Sequence, residues 1–181
     1  MAWLFIAGLL VGPLFDGFHT YSGTTRYPVV WLLGMAWWTP IVFGMAVVVI
    51  GFSVQVIDRL LARKANIISL VSMIAALFFF GAVYFVSGFM PQAPIKYITL
   101  IVSALAIWSM FDRTWQGIFE GVAVGVVGTL VEILMIKEGL FYYSVPHLWG
   151  VPLWLPLLYF SASVALGNLS RFISQQRPAV C

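Results

Sequence analysis

Six long apolar stretches, joined by short polar or turn-rich segments, constrain this chain more than any other feature. They run over about residues 2–20, 40–60, 67–86, 95–110, 118–136 and 153–172. A helix that crosses the hydrocarbon core of a bilayer needs about 20 apolar residues, and each stretch approaches that length. Only 8% of the 181 residues are charged, against about 25% in a soluble domain, so a water-facing globule is excluded. Six such helices leave only short connections. The chain therefore reads as one all-α integral membrane domain over 1–181, a six-transmembrane-helix bundle with no room for a soluble enzyme beside it.

The apolar run 29–57 is too long for one straight span. Pro40 removes a backbone donor and clashes with the preceding turn, which predicts a short lead-in segment over 29–38 and a helix from Pro40 onward. The loop 137–152 offers Phe141, Tyr142, Tyr143 and Trp149 to an interfacial belt. Before Asp16 there is neither a basic n-region nor a small-residue cleavage pattern, so the first stretch is expected to be a retained helix. The single cysteine, Cys181, excludes an intrachain disulfide.

Positive charge sets the expected orientation. Arg59, Arg63, Lys64, Arg113, Arg171 and Arg177 fall on one side, and Arg26, Lys96 and Lys137 on the other. The excess places both termini in the cytoplasm. The net charge of +3 comes without a basic run, so nucleic acid is not an expected partner. No internal repeat is apparent, which disfavours a transporter built from inverted halves.

Gly117, Gly121 and Gly125, with Gly128 one turn on, put small residues at four-residue spacing on the fifth helix. Such a ridge lets helices approach closely and predicts a packing face; Gly8 and Gly12 form a weaker one. Trp108 and Asp112 share a face at the end of the fourth helix, where the plain reading is a local Asp112–Arg113 ion pair and a belt role for Trp108. Asp16, His19 and Glu132 are the polar residues hardest to place in lipid, since a carboxylate at mid-bilayer costs roughly 2.5–3.5 kcal/mol on insertion scales. All three should lie toward the non-cytoplasmic end, within reach of His147. They could form an acid/base pair, a metal site or a headgroup clamp, or simply snorkel to the interface. No metal-binding spacing, nucleophile elbow or phosphate loop occurs in the sequence.

Four motifs in order carry a family resemblance. They are Ala36-Trp37-Trp38-Thr39-Pro40 with Ile57-Asp58-Arg59, Trp108-Ser109-Met110-Phe111-Asp112-Arg113 with Gly117 and Gly121, Tyr143-Ser144-Val145-Pro146 with Trp154-Leu155-Pro156, and Gly167-Asn168-Leu169-Ser170-Arg171. Together they resemble the Insig family of sterol-responsive membrane proteins, without a gap from Thr99 to Arg171. The resemblance implies a six-helix scaffold that binds a sterol-like lipid within the membrane and is not an enzyme. In animal members the residue at the Trp108 position contributes to sterol response, and the aspartate at the Asp112 position holds Scap. Phe78 falls near a helix-three aromatic implicated there.

The departures from the animal pattern are informative. Ile95 stands in place of a sterol-site glutamine, and Glu132 in place of a threonine. The cysteines, hydrophilic arm and longer tail of animal members are absent, so the resemblance implies a prokaryotic homologue in a bacterial plasma membrane. The endoplasmic reticulum, and a Scap-like partner, apply only if the source is eukaryotic. The lipid-binding set expected is Phe78, Ile95, Thr99, Trp108, Asp16 and Glu132, with Asp112 as the partner contact and no catalytic or metal residues. The expected ligand is a neutral lipid such as diacylglycerol, a hopanoid or an isoprenoid, with no other cofactor. Self-association, as a trimer, is expected through the small-residue faces. The competing reading is a membrane enzyme on isoprenoid or carotenoid lipids, with Asp16, His19 or Glu132 as acid and base.

Overall fold

The computed structural model describes residues 1–64 and 66–176. Six helices follow one another: α1 (Ala2–Tyr21), α2 (Thr39–Leu60), α3 (Leu70–Phe89), α4 (Pro94–Phe111), α5 (Trp115–Lys137) and α6 (Leu155–Gln175). Their starts follow local chemistry. Proline stands in the first turn of α2, α4 and α6, where its missing N–H costs nothing and its φ is already helical. The Ser69 hydroxyl caps α3 by accepting from Ser72 N at 3.1 Å, and Thr114 caps α5 by accepting from Gly117 N at 3.1 Å. The Ser69 cap starts α3 three residues later than the expected 67, and the helix then continues through Ser87 and Gly88 to Phe89.

Residues 29–38 form the expected short lead-in to α2 as turns, with one bridge between Leu32 and Met35. Two short strands, β1 (Thr25–Arg26) and β2 (Tyr142–Tyr143), pair antiparallel, Thr25 with Tyr143 and Arg26 with Tyr142. This small hairpin-like pairing ties the α1–α2 connection to the α5–α6 connection. It marks one end of the bundle, called here the strand end; the opposite end carries the α2–α3 loop.

Helices α1–α5 are each long and apolar enough to cross a membrane. α6 is as long but carries Ser161, Ser163, Asn168, Ser170 and Arg171, and its residues 161–168 are all buried. It packs against α2, α3, α4 and α5. The helix that lipid does not touch is the one that tolerates polar side chains. The outer helices show the reverse pattern, with Phe52, Phe78, Val102 and Val127 exposed on their outer faces. That inside-out distribution makes this an integral membrane protein.

Glycines set the close contacts. A Cβ on Gly8 would lie 2.5 Å from Phe43 O and 2.9 Å from Gly44 Cα, so α1 and α2 cross backbone to backbone. On α5, a Cβ at Gly121 would strike the Phe160 ring at 2.4 Å, and one at Gly128 the Tyr159 ring at 2.5 Å. Gly125 faces the Pro156 carbonyl at 3.0 Å. The expected ridge is thus the seat of α6, but two of its glycines receive aromatic rings. Gly117 lies apart from this ridge: its Cβ would meet the Asp112 carboxylate at 2.2 Å. Its smallness makes room for the turn between α4 and α5.

Arg177 and Cys181 lie outside the described residues.

Candidate functional site: an intramembrane cavity with a polar end

A cavity of about 190 Å³ lies among α1, α2, α3, α5 and α6. Val47, Ile50, Leu77, Phe80, Leu158 and Leu166 supply much of its apolar wall. Along α6 it extends from Leu158 to Leu169, roughly 16 Å at 1.5 Å per residue. Toward the strand end the wall turns polar, with Asp16, Thr25, Tyr27, Glu132, Tyr143 and Tyr159.

Two carboxylates organise this polar end, and each is held by tyrosines. Tyr27 donates its hydroxyl to Asp16 Oδ2 at 2.7 Å. Tyr143 and Tyr159 donate to Glu132 Oε2 at 2.6 Å and Oε1 at 2.7 Å. Burial, and then the adjacent carboxylate, hold the hydroxyls of Tyr27 and Tyr143 far above the ordinary phenol range, so both remain donors. These hydrogen bonds give each carboxyl group the partners that a polar side chain inside the span requires. Asp16 and Glu132 each lie five residues before the end of their helix, about 7.5 Å in.

The expected grouping of Asp16 with His19 and His147 does not form. His19 is fully buried and turned away, its Nε2 2.8 Å from Ser87 Oγ and its ring against Tyr84 and Trp154. His147 pairs with the Tyr97 hydroxyl at 3.0 Å in an exposed position. Among the described residues no cluster of His, Cys, Asp and Glu is arranged to hold a metal.

Of the six expected lipid-binding residues, only Asp16 and Glu132 line the cavity. Phe78 is 73% exposed and Ile95 55% exposed, both on the outer surface of the bundle. Thr99 is half-buried on α4, which contributes nothing to the wall. Trp108 donates from Nε1 to Thr114 O at 2.9 Å and fastens the α4–α5 turn. These four belong to helix faces directed away from the cavity. The aromatic loop divides likewise: Tyr142 and Trp149 are exposed as a belt requires, while Phe141 and Tyr143 are buried and enter the cavity wall.

At the opposite end Asp112 is not an exposed contact but the centre of a buried ion cluster. Arg63 reaches Asp112 Oδ2 at 2.8 Å, and Arg171 reaches it at 3.2 Å. Arg171 also binds Asp58 through Nε at 2.7 Å and Nη2 at 3.0 Å, and Glu120 Oε2 at 3.0 Å. Three carboxylates and two guanidiniums thereby join α2, α5, α6 and the two intervening turns. The local Asp112–Arg113 pair is absent, because Arg113 (φ 59°) turns back to donate to Ser109 O.

The sequence reading missed the three tyrosines and this cluster. An ionisable residue deep in an apolar run demands a partner, so Glu120 and Arg171 were available signals.

The family described as Insulin-induced protein (INSIG) matches residues 90–174. Insulin-induced gene 1 protein of Gallus gallus is 27% identical over 97% of this chain and 72% of its own length. Insulin-induced gene 2 protein of the same species is 28% identical over 93% of this chain and 77% of its own. The chain is thus similar to Insig-family proteins over nearly its whole length.

Its fold is the Insig fold. The crystal structure of a mycobacterial Insig homologue from Mycobacterium vanbaalenii superposes with a TM-score of 0.85, at 22% identity, over 99% of this chain and 96% of that one. The same homologue has been crystallised as a cross-linked trimer, with the same score and coverage.

Proposed function

We propose that this Insig-like protein is a non-enzymatic lipid-binding scaffold of a bacterial plasma membrane, with both termini in the cytoplasm, that holds part of a neutral lipid in its cavity. The observation that carries this reading is the cavity's division into a long apolar wall and a polar end built on Asp16 and Glu132. Lipid pockets need few polar groups, placed where a headgroup must be oriented. The carboxylate oxygens accept a hydrogen bond from a ligand hydroxyl, while the tyrosine hydroxyls, whose protons go to those carboxylates, hold them in place. Diacylglycerol offers such a hydroxyl.

Ligand pockets commonly measure about 300–1,000 Å³, so a cavity of about 190 Å³ takes the headgroup and part of one chain. The remainder extends into the bilayer between helices. α2 and α5 both border the cavity and touch each other only sparsely, which makes their gap the exit we favour. A homotrimer is part of this proposal, supported by the trimeric state of the mycobacterial homologue. Phe78, Ile95, Thr99 and Trp108 remain as lipid contacts only on the outer face.

The test is mass spectrometry of lipid retained by protein purified in mild detergent. A stoichiometric neutral lipid supports the reading, and bulk phospholipid in host proportions opposes it. The enzyme reading has one observation in its favour, that both carboxylates border the same cavity. It predicts chemically altered lipid on expression, abolished by Glu132→Gln.

A further inference from the structure

No repeat is apparent in the sequence, yet the α1–α2 and α5–α6 hairpins follow the same course at a constant separation along the chain. Gly23 and Gly139 both turn with positive φ, at 71° and 69°. Leu33-Gly34 and Trp149-Gly150 do so within the matching bridges Leu32–Met35 and Leu148–Val151. Trp38 and Trp154 then cap helices that open on Pro40 and Pro156. Arg26 pairs with its own counterpart, Tyr142, which is what a two-fold axis between β1 and β2 imposes. Packing repeats as well. The Phe43 ring covers Gly12 in one hairpin, and the Tyr159 ring covers Gly128 in the other. The Phe5 ring lies over Gly44, while Phe160 lies over Gly121, so ring and glycine have changed places. Such exchanges hide the repeat from the sequence.

Asp16 and Glu132 are counterparts in this scheme, and so are the tyrosines that hold them, Tyr27 at 2.7 Å and Tyr143 at 2.6 Å. The two stations differ in one respect. Tyr159 gives Glu132 a second donor, to Oε1 at 2.7 Å, whereas its counterpart Phe43 has no hydroxyl to give. Asp16 Oδ1 is therefore left without a donor among the described residues, on a residue only 4% exposed. Unlike the Thr25 hydroxyl, this oxygen is not sealed into packed protein, and Asp16 and Phe43 both border the cavity. A buried acceptor left unpaired costs free energy, so the vacancy favours a ligand that brings a donor.

We propose that the ligand's hydroxyl docks on Asp16 Oδ1, that Phe43 keeps this place vacant, and that the cavity thereby selects lipids with a free hydroxyl beside their apolar chains. The proposal rests on the lipid-binding reading of the cavity and narrows it to one oxygen and one donor. The hydroxyl supplies to α1 what Tyr159 supplies to α5.

Two probes that differ only at that hydroxyl test it, dioleoylglycerol and its methyl ether. Full-length protein in phosphatidylcholine nanodiscs is given an equimolar mixture, and native mass spectrometry reads the ratio retained. Wild type should favour the alcohol about tenfold or more, the worth of one hydrogen bond to a carboxylate. Phe43→Tyr, which offers Asp16 the hydroxyl that Glu132 already has, should bring the ratio near one and raise the melting temperature of lipid-free protein. Aspartate is shorter than glutamate by a methylene, so if Phe43→Tyr leaves the ratio unchanged, Asp16→Leu decides. That variant keeps the volume, removes both oxygens and should also bring the ratio near one. Equal retention of the two probes by wild type, or a preference that survives Asp16→Leu, overturns the proposal while leaving a lipid in the cavity. Retention of neither probe by wild type overturns the lipid-binding reading and this proposal with it.

Discussion

Tyr159 reaches from α6 to Glu132 on α5, its hydroxyl 2.7 Å from Oε1. The bond joins the central helix to the wall of the cavity at the depth where a headgroup would sit. Tyr159→Phe removes a hydrogen bond to a carboxylate, a contact worth about 1.5–3 kcal/mol when the acceptor is charged. The expected outcome is a lower melting temperature in detergent and an altered headgroup preference in the retained lipid. Unchanged values for both would mean that Tyr143 alone suffices to hold Glu132.

Gly121→Leu is predicted to disrupt the α5–α6 contact. The space a Cβ needs is already filled by the Phe160 ring, 2.4 Å away. Overpacking of this kind costs about 1–3 kcal/mol. Thermal unfolding by intrinsic fluorescence checks it, and Gly121→Leu paired with Phe160→Ala should recover part of the loss.

Asp112→Ala should destabilise the bundle rather than simply remove a surface contact. It would strip an acceptor from both Arg63 and Arg171, whose guanidiniums are largely buried. Breaking a buried pair by removing one partner costs about 3–5 kcal/mol. Arg113→Ala, which leaves the cluster intact, should shift the melting temperature little. Comparable losses in the two variants would contradict the assignment.

Much of this architecture is legible in the sequence because lipid imposes a single demand on every span. Five helices declare themselves by apolar length, and the prolines at positions 40, 94 and 156 mark where three helices begin. The centrality of α6 is not legible, since a helix with Ser161, Asn168 and Arg171 is comfortable only when others surround it. Asp16 and Glu132 stand out because a carboxylate inside a span is costly. Their tyrosine partners do not, because these lie 11 to 27 residues away on other elements. Lys96 illustrates the opposite error. Charge counting assigns it to a surface, whereas it is fully buried against Trp154. Phe78 and Ile95 entered through family resemblance, and helix rotation alone decides that they face outward.

Orientation follows from the basic residues flanking the α2–α3 loop and the end of α6. Sealed vesicles carrying single-cysteine variants should label Cys181, and a cysteine at Lys64, only from the cytoplasmic side. A cysteine at exposed Trp149 should label only from the other. The reverse pattern would invert the proposed topology.

In the proposed function a neutral lipid occupies the cavity between α1, α2, α3, α5 and α6. Ala46 and Ala162 line that cavity, so Ala46→Phe and Ala162→Phe fill it while leaving Asp16 and Glu132 in place. The decisive measurement is the molar ratio of retained neutral lipid to protein, determined by quantitative lipid extraction from wild type and both filled variants at matched melting temperature. The expected result is a ratio near one for the wild type that falls severalfold in the filled proteins. Equal ratios in all three, or wild-type lipid matching the bulk membrane, would contradict it.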